Sequence, residues 1–126
     1  MAELDHLILD VNDRAASVAF YTRVLGFTDE GRDGPFSIMR VGPTCTLLLA
    51  ARETTGGEHL AFAMARAEFD RVFDRLRSEG IPFGDAFDTV GTGRAPGDEI
   101  GARGAGATIY FLDPSRHLLE IRHYER

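Results

Sequence analysis

Three residues of this 126-residue chain have the side chains and positions that metal chemistry requires: His6, His59 and Glu120. Glu120 stands in the β-prone run Leu118–Ile121, where an ionised carboxylate is costly to bury unless a cation pairs with it or coordinates it. Each of the two histidines stands in a short acidic-His-Leu run. Two imidazoles and one carboxylate form a facial triad that binds a divalent metal and leaves coordination positions open for chemistry.

Taken one at a time, these residues also have ordinary interpretations. A lone His on a strand is more often hydrogen-bonded or exposed than a ligand, and a lone Glu in a final strand usually faces solvent. Of the other two histidines, His117 lies in a predicted hairpin turn and His123 alternates away from Glu120, so both fit structural or exposed roles. Cys45, the single cysteine, lies in an apolar run and is interpreted as an inert core thiol.

An internal repeat relates the two candidate histidines. From His6 to the helix-ending Gly26 is 20 positions (26 − 6), and from His59 to the helix-ending Gly80 is 21 (80 − 59). Each half predicts a strand, a helix and three further strands. Rough two-fold symmetry between the halves would let the two histidines face one cavity.

The elements that position these residues follow from apolar periodicity and turn residues. The elements expected in the first module, about 1–52, are a strand over 4–11, a helix capped by Asn12 or Asp13 and running to about Leu25, strand material from Phe27, and strands over 36–41 and 44–52. Those expected in the second module, about 58–126, are a strand over 58–64, a helix over 66–79, a strand over 83–90, a glycine-rich loop over 91–106, and a hairpin around Asp113-Pro114. The first helix is expected to bury Val18, Tyr21 and Leu25.

Composition excludes several partner classes. The formal net charge is −6 and no cluster of basic residues interleaves with aromatics, so a nucleic-acid face is not expected. No apolar run approaches the ~20 residues that cross a bilayer, and no basic and apolar leader opens the chain. With one cysteine and no leader, the expected location is the cytoplasm.

Five runs carry a resemblance to a known family. They are LDHLILDV at 4–11, SVAFY leading into LGF at 17–27, HLAF at 59–62, IYFLDP at 109–114 and LLEI at 118–121. Together they resemble the vicinal oxygen chelate superfamily, which includes glyoxalase I, extradiol dioxygenases, fosfomycin-resistance transferases and bleomycin-binding proteins. The resemblance implies one α+β domain over 1–126, with two βαβββ modules forming a cupped mixed sheet around a metal site. It also implies that His6, His59 and Glu120 bind Fe, Mn, Ni or Zn.

The resemblance suggests further site residues. Tyr110 lies ten positions before Glu120 (120 − 110), where some relatives use a tyrosine to reach the substrate; a packed aromatic is the alternative interpretation. The glycine-rich stretch 91–97 lacks the helix start of a dinucleotide fingerprint and contains a proline, so a flap over the cavity is expected instead. Arg94 and Arg103 would be available there to an anionic substrate, or would be solvated loop residues.

Departures from the family pattern narrow the expected reaction. Glyoxalase I usually has a fourth ligand in its first module, but the run 45–51 offers no carboxylate, and Ile8 replaces a threonine common in fosfomycin transferases. The retained triad argues against bleomycin-type binders, which lose the ligands. The expectation is a divalent-metal-dependent enzyme acting on a small substrate with adjacent oxygens, either a lyase or isomerase or an extradiol-type dioxygenase, with Glu120 also the candidate catalytic residue. The alternative is a non-catalytic binding or resistance protein for an antibiotic or metabolite. A homodimer is expected, with each cup built from one chain or from two.

Overall fold

The computed structural model describes residues 1–125, which form two compact units: residues 1–56 and the residues from Gly57 onward. The first unit has βαβββ organisation, and the second repeats it with two short strands in place of the strand that follows the helix. In each unit the last strand pairs in parallel with the first. The expected α+β fold with two βαβββ modules is therefore confirmed. Among these residues, no helix has the length and apolar character needed to cross a membrane.

The first unit is a four-stranded sheet packed against one helix. Its elements are β1 (His6–Val11), α1 (Arg14–Arg23), β2 (Thr28–Asp33), β3 (Phe36–Gly42) and β4 (Cys45–Ala51). The spatial order is β1-β4-β3-β2, with α1 against β3 and β4. Strand alternation buries Leu9 and Val11 in the core and leaves His6 and Ile8 on the opposite, more exposed face.

Helix α1 begins and ends as its sequence predicts. The Asp13 side chain caps it by accepting a hydrogen bond from the Ala16 amide at 3.0 Å, and Gly26 follows with a φ of 72°. The expected buried stripe is correct for Tyr21 and Leu25 but wrong for Val18, which is half-exposed. The core face instead follows the i, i+3, i+4, i+7 series, which the residues Ser17, Phe20, Tyr21 and Val24 occupy. Cys45, expected in the core, is half-buried at the start of β4.

The second unit is a five-stranded sheet with one helix. Its elements are β5 (His59–Ala63), α2 (Arg66–Ser78), β6 (Phe83–Gly84), β7 (Gly97–Gly101), β8 (Gly104–Leu112) and β9 (Leu118–His123). The spatial order is β5-β9-β8-β6. Strand β7 also pairs with β8, along the same edge as β6 but at different residues of β8. Helix α2 buries Phe69, Val72 and Leu76. The central position of β9 places Glu120 in the middle of this sheet.

Two expectations for the second unit are wrong. The strand expected over 83–90 ends after Gly84, because the Thr89 hydroxyl accepts from the Ala86 amide at 2.9 Å and closes a turn. The loop expected over 91–106 instead contains β7 and the beginning of β8 from Gly97 onward. Gly101 in β7 leaves room for a side chain that crosses it closely: a Cβ at this position would lie 2.3 Å from the Arg122 Cζ.

Candidate functional site

Strand register places Glu120 among polar neighbours. On β8, Tyr110 lies directly opposite Glu120, and on β5 the opposite residue is Ala61. His59 begins β5 two residues before Ala61, so it lies on the same face as Glu120. Leu119 and the residues that alternate with it face the core on the other side of the sheet.

Two basic side chains contact the buried carboxylate of Glu120. Its Oε1 lies 3.1 Å from the His59 Nε2, and its Oε2 accepts a hydrogen bond from the Arg122 Nη1 at 2.7 Å. Glu120 is 3% exposed and Arg122 is 6% exposed, whereas the His59 side chain is 49% exposed. The desolvation cost of the carboxylate is therefore offset by a buried ion pair on one oxygen, while the other oxygen faces an accessible imidazole.

A second layer of contacts connects this pair to β7. The Arg122 Nη2 donates to the Glu99 backbone carbonyl at 2.8 Å, and the Tyr110 hydroxyl donates to the Glu99 Oε2 at 2.8 Å. The Tyr110 ring centroid lies 5.8 Å from that of His59. Burial raises the pKa of Tyr110 far above its usual range, and the Glu99 and Glu120 carboxylates raise it further. Tyr110 is therefore a neutral hydrogen-bond donor at physiological pH.

Sequence reasoning missed two members of this cluster, Arg122 and Glu99. The signal for Arg122 was available, because a residue two positions after Glu120 on a strand lies on the same face. Glu99 fell within a segment interpreted as a loop, and no local pattern pointed from it to Tyr110. Its position follows from the pairing of β7 with β8, which is a tertiary property.

His6 begins β1 in the first unit. Its side chain is 50% exposed, and its Nδ1 lies 2.7 Å from the Asp5 Oδ2. Its neighbour in register on β4 is Thr46. The next row on the same face consists of Ile8 on β1, Leu48 on β4 and Ile38 on β3. The candidate ligands are therefore divided between the units, with His6 in the first and His59 and Glu120 in the second.

Arg94 and Arg103, the other residues suggested from the sequence, contact side chains outside the group around Glu120. The Arg94 Nε lies 3.4 Å from the Asp85 Oδ2, and the Arg103 guanidinium lies 4.6 Å from the centroid of the Tyr124 ring. A hydrogen bond from Thr89, with a further contribution from Arg94, lowers the pKa of Asp85.

Two other histidines have structural contacts. His117 is buried, and its Nδ1 accepts from the Glu58 amide at 3.2 Å. His123 is buried edge-on against Phe69, with ring centroids 4.7 Å apart.

The pair of His59 and Glu120 has spacing suited to a metal. Within residues 1–125, no group of three or more His, Cys, Asp and Glu side chains is arranged to hold an ion. Two donors about 2.1 Å from one ion and at right angles to each other lie about 3.0 Å apart. The His59 Nε2 and the Glu120 Oε1 are 3.1 Å apart, so these two residues fit adjacent positions on a first-row divalent ion.

Comparison with known proteins gives consistent matches over nearly the whole chain. Residues 3–121 match the family model for the Glyoxalase/Bleomycin resistance protein/Dioxygenase superfamily. Glutathione transferase FosA of Serratia marcescens is 27% identical over 128 residues, covering 96% of this chain and 80% of that protein. Virulence protein STM3117 of Salmonella typhimurium is 28% identical over 130 residues, covering 96% and 83%. The solved structure of the oxidase ChaP-H2 aligns with a TM-score of 0.83 and 27% identity, covering 98% of this chain and 94% of that one.

Proposed function

Because the chain belongs to the Glyoxalase/Bleomycin resistance protein/Dioxygenase superfamily, we propose that it is a divalent-metal-dependent enzyme of that superfamily. The proposed ligands are His59 and Glu120 of the second unit and His6 of the first. A bound Fe, Mn, Ni or Zn would polarise a small substrate that presents two adjacent oxygens. The observation that supports this proposal best is the 3.1 Å spacing between the His59 Nε2 and the Glu120 Oε1.

The surrounding residues have separate roles in this proposal. Arg122 holds one carboxylate oxygen of Glu120, and the half-exposed ring of His59 leaves a path from solvent to the other oxygen. Tyr110 stays protonated, and its single hydroxyl hydrogen would orient a substrate oxygen by donating to it in place of the Glu99 carboxylate. This donor set suits both lyase or isomerase chemistry and extradiol-type dioxygenation. Two relatives are named a glutathione transferase and an oxidase, so glutathione transfer and substrate oxidation are further reactions to assay.

The face of the first unit favours a substrate with an apolar body. Ile8, Leu48 and Ile38 lie side by side across three strands in the row next to His6, and Ile8 is 49% exposed. A substrate held at His6 would contact this row. Each Å² of apolar surface buried there would stabilise binding by about 25 cal/mol. Arg94 and Arg103 remain proposed contacts for an anionic group, but Asp85 and Tyr124 already engage them. An aromatic or aliphatic diol therefore fits the proposal better than a strongly anionic substrate.

The test of the metal site is the metal content of purified protein, wild type beside Glu120→Gln. The Gln retains an oxygen for Arg122 but removes the anionic ligand, so we expect about one transition metal per chain in wild type and little in the variant. Glu53→Gln, at an exposed position outside the site, is the matched control and should keep its metal. Equal metal in Glu120→Gln and wild type would contradict the proposal.

The alternative is a binding protein that needs no metal. It is supported by the contacts of Glu120 with His59 and Arg122, because these basic side chains can balance the charge of the buried carboxylate. This function predicts that a bound antibiotic or metabolite raises the melting temperature equally before and after chelation. Loss of the ligand-induced shift on chelation would exclude it.

We also propose a cytoplasmic homodimer, and subunit mixing tests how its sites are built. Suppose that each site combines His6 of one chain with His59 and Glu120 of the other. Mixing His6→Ala chains with Glu120→Gln chains then restores one of the two sites in each mixed dimer. With random pairing half of the dimers are mixed, so the metal content should reach about a quarter of the wild-type value. If one chain supplies all three ligands, mixing restores none.

A further inference from the structure

Arg122 is a buried cation bonded to the candidate ligand Glu120. Its Nη1 donates to the Glu120 Oε2 at 2.7 Å, and its Nη2 donates to the Glu99 carbonyl at 2.8 Å. Its guanidinium also lies 4.9 Å from the centroid of the Tyr124 ring. These contacts fix the guanidinium in one place, because the planar fork meets two acceptors on different strands.

Two glycines leave the space that this guanidinium occupies. A Cβ on Gly101 would lie 2.3 Å from the Arg122 Cζ and 2.5 Å from its Nη2. A Cβ on Gly106 would lie 3.1 Å from the same Nη2. Gly101 in β7 and Gly106 in β8 therefore have a packing explanation: they let the Arg122 side chain cross from β9 over β8 to β7.

Its positive charge would not favour an arginine beside the proposed metal site. A unit positive charge repels a divalent cation held a few ångströms away. The geometry offers a different reason. Because Arg122 binds the Oε2, only the Oε1 of Glu120 is directed at His59.

We infer that Arg122 is a positioning residue that fixes Glu120 as a ligand through one oxygen. This inference rests on the proposed metal site. A carboxylate held in this way occupies one coordination position instead of two, which leaves more positions for a substrate with adjacent oxygens. Lysine cannot replace the arginine in this role, because an ammonium group lacks the fork that spans the Glu120 carboxylate and the Glu99 carbonyl.

The test uses Co(II) as the probe and two variants that keep the positive charge. Arg122→Lys removes the fork, and Gly101→Ala displaces the intact guanidinium. Both should weaken Co(II) binding by about 10- to 100-fold, as expected for groups that orient a ligand, and both should alter the visible Co(II) spectrum. Arg77→Lys on the outer part of α2 and Gly42→Ala, whose Cβ meets nothing within 4 Å, are matched controls that should leave affinity and spectrum unchanged.

The outcomes separate this inference from the proposed function. If wild type binds no Co(II), the proposed metal site fails and the inference fails with it. If wild type binds Co(II) while both folded variants keep the wild-type spectrum, Arg122 does not position Glu120, whatever happens to the affinity, and the metal site still stands. If circular dichroism shows that one variant does not fold, the other decides.

Discussion

The two units share strand order and register but present different side chains at equivalent positions. In each unit the residue two positions after the first-strand histidine belongs to a row that crosses three strands. That row is Ile8, Leu48 and Ile38 in the first unit and Ala61, Glu120 and Tyr110 in the second. The same backbone therefore carries an apolar surface in one unit and a hydrogen-bonded polar cluster in the other. Register fixes the positions at which a ligand can lie, and the side chain at each position decides which unit supplies the ligand.

The largest expected effect comes from giving the second unit the residues of the first. Glu120 and Arg122 correspond in register to Leu48 and Ala50. Glu120→Leu alone should lower the free energy of unfolding by about 3–5 kcal/mol, because it leaves the Arg122 charge buried without its carboxylate partner. Urea unfolding in the presence of a chelator measures this without any contribution from metal.

The double substitution Glu120→Leu with Arg122→Ala is the control for that prediction. It removes both charges together and should recover most of the loss, to within about 1–2 kcal/mol of wild type, the remainder reflecting the smaller side chain at position 122. A double variant as unstable as the single one would show that the ion pair is not the reason for the destabilisation. Neither protein should retain metal if Glu120 is a ligand.

Metal removal provides the next largest effect. A divalent ion at 100 times its Kd should raise the free energy of unfolding by about 2.7 kcal/mol. This increment should disappear in His59→Ala, since that variant loses one of the two ligands of the second unit. Thermal unfolding with and without chelator checks it, and Glu53→Gln should respond as wild type does. An undiminished increment in His59→Ala would place the stabilising ion elsewhere.

The fold could be predicted further from the sequence than the site could. Apolar alternation and the capping residues Asp13 and Gly26 identified most elements, because these signals are local. The strand β7 was missed because its two glycines are typical of a loop. In the structure Gly101 makes room for the Arg122 side chain and Gly97 makes room for the Asp85 carbonyl. Glu120 was found as a carboxylate that required a partner, but the partner Arg122 and the link to Glu99 depend on how β7, β8 and β9 pair.

A smaller effect is expected when the first unit receives the carboxylate that it lacks. Leu48 holds the position in β4 that Glu120 holds in β9, relative to the histidine of each unit. Leu48→Glu should therefore add a ligand beside His6 and tighten metal binding about tenfold. Competition with a chelating dye measures the Kd. In the control Leu48→Gln, the glutamine has nearly the same shape as glutamate but no anionic charge, so it should not tighten metal binding. An equal gain in metal affinity in both variants would mean that Leu48 is not the counterpart of Glu120.

The smallest effect concerns Tyr110, whose counterpart in the first unit is Ile38. At pH 7, Tyr110→Phe should cost about 1–2 kcal/mol, because the hydroxyl no longer donates to Glu99. The folded-state pKa of Tyr110 is raised, so the contribution is fully present below the unfolded-state value of about 10 and is lost as pH rises above it. Ionisation of the unfolded chain should remove about 1.4 kcal/mol by pH 11, so wild type and variant should converge there in urea unfolding. The other tyrosines are common to both proteins, so their contributions cancel in the difference between the two free energies of unfolding. If that difference stays constant from pH 8 to pH 11, Tyr110 ionises as readily in the folded protein as in the unfolded chain.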